Sequence, residues 1–142
     1  MADPSLLTDA MRQAVGMASE VRTADVERGA IVRFAQAIGD DNPAYPDAAP
    51  PTFLRSLGLA IPALPDSELV PRLLDGGSEW TYVQPIRPGD SIDVTTKLES
   101  LVEREGRMGP MLIATYLTEY ANQRGEHAAT QRNTVIRMGP SA

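Results

Sequence analysis

The feature that most constrains this chain is a change of period in its second half. Ile92, Val94, Thr96 and Leu98 alternate with Asp93, Thr95, Lys97 and Glu99, the pattern of a strand with one buried face. β-rich runs at residues 78–84, 111–120 and 128–138 flank it, separated by PIRPGD (85–90), REGRM (104–108) and NQRGE (122–126), segments whose Pro, Gly and Asn suit turns. Four consecutive strands with short connections predict an antiparallel meander. The last strand, 128–138, has few charges to protect an open edge and is expected to pair with a second chain.

The first half reads as helices. Residues 5–17 place Leu6, Leu7, Ala10, Met11, Ala14 and Val15 at spacings of three and four, with Ser5 able to cap. Residues 18–23 read as a short strand. A second helix, capped by Thr23 or Asp25, carries Ile31, Phe34, Ala35 and Ile38 on one face and stops at Gly39. Four prolines and three aspartates then fill residues 39–51, GDDNPAYPDAAPP, a composition that fits neither helix nor sheet interior. Residues 52–61 are apolar on more than one side, which predicts a buried helix. The expected class is therefore α+β, with a curved antiparallel sheet wrapped around a central helix in the hot-dog manner; a generic α+β sandwich is the alternative.

At 142 residues the chain is expected to form one domain, 1–142, with residues 1–19 a helical N-terminal extension. A formal charge of −6 argues against nucleic acid as a partner. The absence of cysteine and the single histidine, His127, exclude a disulfide framework, a thiolate nucleophile and a Cys- or His-rich metal site. There is no basic N-terminal region and no apolar run of about 18 residues. The expectation is a cytoplasmic protein without metal or membrane contact.

The string FAQAIGDDNPAY, residues 34–45, resembles the signature of MaoC-like hot-dog (R)-specific enoyl-thioester hydratases and dehydratases, whose catalytic version reads approximately F-A-x-x-x-G-D-x-N-P-x-H. The resemblance continues in APPTFL (49–54), YVQPIRPGD (82–90), EREGRMGPM (103–111) and ATQRNTVIR (129–137). These later blocks are similar to the N-terminal, dehydratase-like half of the family, including subunits that work only within a heteromer. The chemistry so implied is addition of water to C3 of an enoyl thioester with protonation at C2. An Asp/His pair shares the water, and a backbone N–H holds the thioester oxygen.

Carried onto this chain, the motif positions are Asp40, Asn42 and Tyr45. Tyrosine stands where the family has histidine, and with an ordinary pKa near 10 against about 6.5 it is a poor base near neutrality. Where catalytic members place a glycine N–H, this chain has Ala49, Pro50 and Pro51, and proline offers no donor. The resemblance further implies Pro51, Thr52, Phe53, Leu57 and Trp80 as acyl-contacting positions. No cofactor is implied beyond coenzyme A or acyl carrier protein as part of the substrate. The reading that follows is a hydratase or dehydratase subunit that pairs with a second hot-dog chain, as a homo- or heterodimer. A catalytically silent homodimeric acyl-thioester binder, or an isomerase or cyclase using Asp40 and Tyr45, are the alternatives. His127, after the NQRGE turn, reads as an exposed turn residue.

Overall fold

The computed structural model describes residues 5–141. Its elements run α1 (Asp9–Ala14), β1 (Arg22–Asp25), α2 (Arg28–Ala37), 3-10 helices at Pro51–Leu57 and Ser67–Leu69, then β2 (Arg72–Tyr82), β3 (Ser91–Gly106), β4 (Gly109–Ala121) and β5 (His127–Met138). One antiparallel sheet has the order β1-β3-β4-β5-β2. The period-two reading holds: Ile92, Val94, Thr96 and Leu98 are buried while Asp93 and Lys97 are exposed.

Only the last three strands form a meander. β2 does not pair with β3; it crosses to the far side of β5, with Trp80 opposite Gln131 and Tyr82 opposite Ala129. The amides of Val83 and Gln84 both donate to the Ala128 carbonyl, at 2.8 and 3.2 Å. This keeps the chain along β5, after which residues 85–90 turn beneath the sheet and bury Ile86. As a consequence β5 is an interior strand, and the expectation that 128–138 forms the open edge is corrected. The open edge is β2.

The central helix is also shorter than expected. In place of a helix over 52–61 there are about two turns of 3-10 helix ending at Leu57. Gly58, at φ +85°, takes a conformation closed to residues with a Cβ, and Arg22 Nη1 then donates to the Leu59 carbonyl at 3.2 Å. Phe53 and Leu54 nonetheless plug the inner face of the sheet, packed with Ile31, Val94, Tyr120 and Ala129. The hot-dog arrangement is present, with a truncated core helix. A second cluster at the other end of the inner face joins Met11 and Ala14 of α1 to Leu64, Val70, Leu98 and Leu112.

The helix expected over 5–17 is reduced to α1, capped by Thr8, whose side chain accepts from the Met11 amide. Ser5 is not a cap, because its hydroxyl and the Leu6 amide both donate to the Glu103 carboxylate. The strand expected over 18–23 lies at 22–25, with Ala18 making a single bridge to Lys97. Thr23 and Asp25 belong to that strand, so α2 begins after Glu27 without a side-chain cap. Among the described residues no helix is long and apolar enough to cross a membrane.

If Phe53 rather than a long helix is the plug, Phe53→Ala should cost about 3–5 kcal/mol in urea unfolding. Ile61 is half exposed, and Ile61→Ala should cost about 0.5 kcal/mol or less. Comparable losses at the two positions would restore the longer helix.

Candidate functional site

The end of α2 positions the candidate dyad. Gly39, at φ +69°, lets its amide return to Gln36 and lets the Asp40 amide reach the Ala35 carbonyl at 2.9 Å, the paired bonds of a Schellman stop. Asp40 emerges fixed at the first residue of the loop. Its Oδ1 accepts from the Asn42 amide at 3.1 Å, and Asn42 Oδ1 accepts from the Ala44 amide at 2.9 Å. These two side-chain turns fold the loop back so that the Tyr45 hydroxyl donates to Asp40 Oδ2 at 3.2 Å.

Asp40 and Tyr45 are half-buried and Asn42 is exposed. Partial burial, together with the hydrogen bond to Asp40 and its charge, raises the Tyr45 phenol above its ordinary value. Tyr45 is therefore a protonated donor near neutrality, and the carboxylate it faces is already engaged by two donors. Chemically this pair can hold a polar group or a water but has no imidazole to take a proton from it.

The loop returns to the sheet where the Ala49 amide donates to the Ile86 carbonyl at 2.8 Å. Beside that bond lies a mostly apolar cavity of about 360 Å³, lined by Ala49, Pro50, Pro51, Tyr82, Gln84 and Ile86 among others. Pro50 and Pro51, which the resemblance leads one to expect in place of an oxyanion donor, form its wall and supply no N–H. Asp40 and Tyr45 are not among the lining residues; Tyr45 and Ala49 pack against the same core cluster.

Of the expected acyl-contacting positions, Pro51 lies on the cavity. Phe53 is 1% exposed and meets Phe34 edge to face at 5.7 Å, a core residue. Leu57 is half-buried against that core and Thr52 points to solvent. Trp80 is half-buried and stacked between Tyr82 and Tyr120, at 5.8 and 5.7 Å. The sequence reading overlooked Tyr82, two residues from Trp80 and hence on the same strand face, and Tyr120, which only the strand register brings beside them. Burial pushes the Tyr120 phenol up to about 12 against the opposing pull of Arg55.

His127 opens β5 with its ring exposed and Nε2 2.8 Å from Thr130 Oγ1. Its carbonyl accepts from the side chain of Gln84, a cavity residue, at 3.2 Å. Arg104 and Arg107 are exposed. Among the described residues no group of three or more His, Cys, Asp or Glu side chains is arranged to hold a metal ion.

The family model for a FAS1-like, dehydratase domain region matches residues 13–131. A UPF0336 protein from Streptomyces coelicolor is 32% identical over 123 residues, covering 75% of this chain and 79% of that protein. A probable enoyl-CoA hydratase alpha subunit from Thermomonospora curvata is 30% identical over 140 residues, covering 78% of this chain but only 44% of its own length. Among solved structures, the ChsH1-ChsH2 complex from Mycobacterium tuberculosis contains a chain of the same fold, with a TM-score of 0.77 at 19% identity, covering 94% of this chain and 92% of that one.

The Asp40–Tyr45 bond can be read directly. Subtracting a Tyr45→Phe spectrum should isolate a tyrosine that ionises above the free phenol. Asp40→Asn should lower that ionisation, while the burial of the ring keeps it above the free phenol. An unchanged titration after Asp40→Asn would show that the two side chains are not in contact in solution.

Proposed function

The chain belongs to the FAS1-like dehydratase-region family of MaoC-like hot-dog hydratases and dehydratases, and we propose that it is the acyl-thioester-binding subunit of such an enzyme. Its reaction class is hydration of an enoyl thioester of coenzyme A or acyl carrier protein, or dehydration of the 3-hydroxyacyl thioester. A second hot-dog chain supplies the complete Asp/His pair.

One observation carries this reading: Tyr45 occupies the histidine position and spends its hydroxyl as a donor to Asp40. A group that must first accept a proton from water cannot be a phenol held protonated by the carboxylate beside it. The prolines at 50 and 51 support the same conclusion independently, since an oxyanion donor lost from an acyl site costs on the order of 10²- to 10³-fold. What the chain keeps is the apolar cavity and the aromatic wall, which suit an acyl group. The two-chain composition of the ChsH1-ChsH2 complex and the alpha-subunit description of the Thermomonospora protein support a partnered role.

The test uses the full chain alone and mixed with a hot-dog chain that carries an intact G-D-x-N-P-x-H string. Dodecenoyl-CoA should bind the chain alone, measured calorimetrically, without loss of the enoyl-thioester absorbance. Turnover should begin on adding the partner, and Asp40→Ala should lower that rate far less than the matching change in the partner, where about 10²- to 10⁴-fold is expected. Tyr45→His by itself should not create activity, because Pro50 and Pro51 still offer no N–H. Turnover by the isolated wild-type chain, abolished by Asp40→Asn or Tyr45→Phe, would overturn the subunit reading, and an unhydrated product would favour an isomerase or cyclase.

A further inference from the structure

β2 ends the sheet, and beside its open edge a groove lies on the outer face. Glu79 opposes Arg132 on β5, and Thr115 on β4 opposes Thr134, in rows that alternate with the inward-facing Trp80 and Gln131. The groove has a volume of about 470 Å³ and is lined by these four residues, Gly76 and Gly77 among others. The two glycines put no side chain over it, and a Cβ on Gly76 would stand 2.9 Å from the Thr134 side chain.

The charges in the groove do not balance. Arg132 gives Nε and Nη2 to the Glu99 carboxylate at 2.8 and 3.0 Å, a bidentate pair. Glu79, exposed at the edge, is left with no ion pair among the described residues. Two carboxylates therefore face one guanidinium. A lysine or arginine entering from the edge can lay its methylene stem over the glycines and threonines and bring its charge to Glu79.

Resting on the subunit reading above, we propose that this groove receives a cationic side chain from the edge strand of the second chain, so that β2 pairs with a basic strand of a different protein and not with a second copy. A second copy fits poorly. β2 carries one cation, Arg72, against Asp75 and Glu79, and Arg72 already gives Nε to the Gly139 carbonyl at 2.5 Å. For two copies related by a two-fold axis to set Arg72 opposite Glu79, the axis must pass between Asp75 and Gly76. There the strand is irregular, and a bulge interrupts regular pairing. Every other register leaves both copies of Glu79 without a cation opposite, between chains of formal charge −6 each.

The test titrates the second hot-dog chain, with its intact G-D-x-N-P-x-H string, into the full chain and follows the complex by light scattering and sedimentation. Alone at micromolar concentration, the wild type should scatter as a single chain. Glu79→Gln should weaken the complex about tenfold and Glu79→Lys further, with melting temperatures unchanged because the side chain is exposed. Glu105→Gln, which alters an exposed acid at the β3–β4 hairpin, should leave the affinity as it is. Replacing the matching lysine or arginine of the partner strand by Glu should restore binding to Glu79→Lys. Full affinity in both Glu79 variants would overturn the proposal and leave the two-chain reading standing. A wild-type homodimer that Glu79→Lys dissolves would overturn the choice of a different protein. Absence of any complex would overturn the subunit reading as well.

Discussion

A curved sheet with a hydrophobic inner face must be plugged, and here the plug is two side chains. Phe53 and Leu54 project from a 3-10 helix of seven residues onto Val94, Tyr120 and Ala129. Burying side chains of this size contributes about 1.5–3 kcal/mol each. A full α-helix across the sheet would cover the rest of that face, but Gly58 ends the turn before it can. The remainder falls to the proline-broken segment through Leu64 and Val70 and to α1 through Met11. Two clusters result, with the Thr96–Thr118–Gln131 row between them.

The same economy shapes the dyad loop. A glycine stop on α2 fixes Asp40, two side-chain turns bring Tyr45 back to it, and Ala49 ties the segment to Ile86. Every bond in this loop is local or lies next to the sheet. Most of the loop's bonds are made by Asp40, Asn42 and the backbone, so the side chain at 45 does little of the folding.

The strand alternation, α2 with its glycine stop and a loop over 39–51 were legible from local pattern, because each depends on residues within a few positions of one another, whereas Asp40, Asn42 and Tyr45 were singled out by the family resemblance. What escaped was set by distant contacts. Ser5 resembles a cap, yet Glu103 takes its hydroxyl. Residues 52–61 look like one buried helix, and only the backbone angle at Gly58 and the reach of Arg22 to Leu59 show why it stops. The crossing of β2 to β5 is a pairing between residues far apart in sequence, from Arg72 with Met138 to Tyr82 with Ala129. Tyr120 joins Trp80 and Tyr82 through strand register alone, which periodicity cannot supply. Phe53 was legible as a residue facing the centre, but a pattern of burial does not say that Phe34 lies opposite it.

The misplaced edge has the largest consequence for assembly. On the β1 side the sheet is blunted: that strand is four residues long, and the chain at Gly16–Ser19 adds backbone bonds to Thr96 and Leu98. On the other side β2 runs for 11 residues with Leu73 and Leu74 about half exposed. Its only interruption is the irregularity between Asp75 and Gly77. Gly76 fits there because a Cβ would come within 2.9 Å of the Thr134 side chain. A bulge and two acids, Asp75 and Glu79, are modest protection for so long an edge. Trp80 and Tyr82 stand on this strand, and Tyr82 lines the cavity, so a chain that pairs with β2 would border that cavity. On the subunit reading proposed above, covering the β2 edge and bordering the cavity would fall to the same partner, because both lie on one strand.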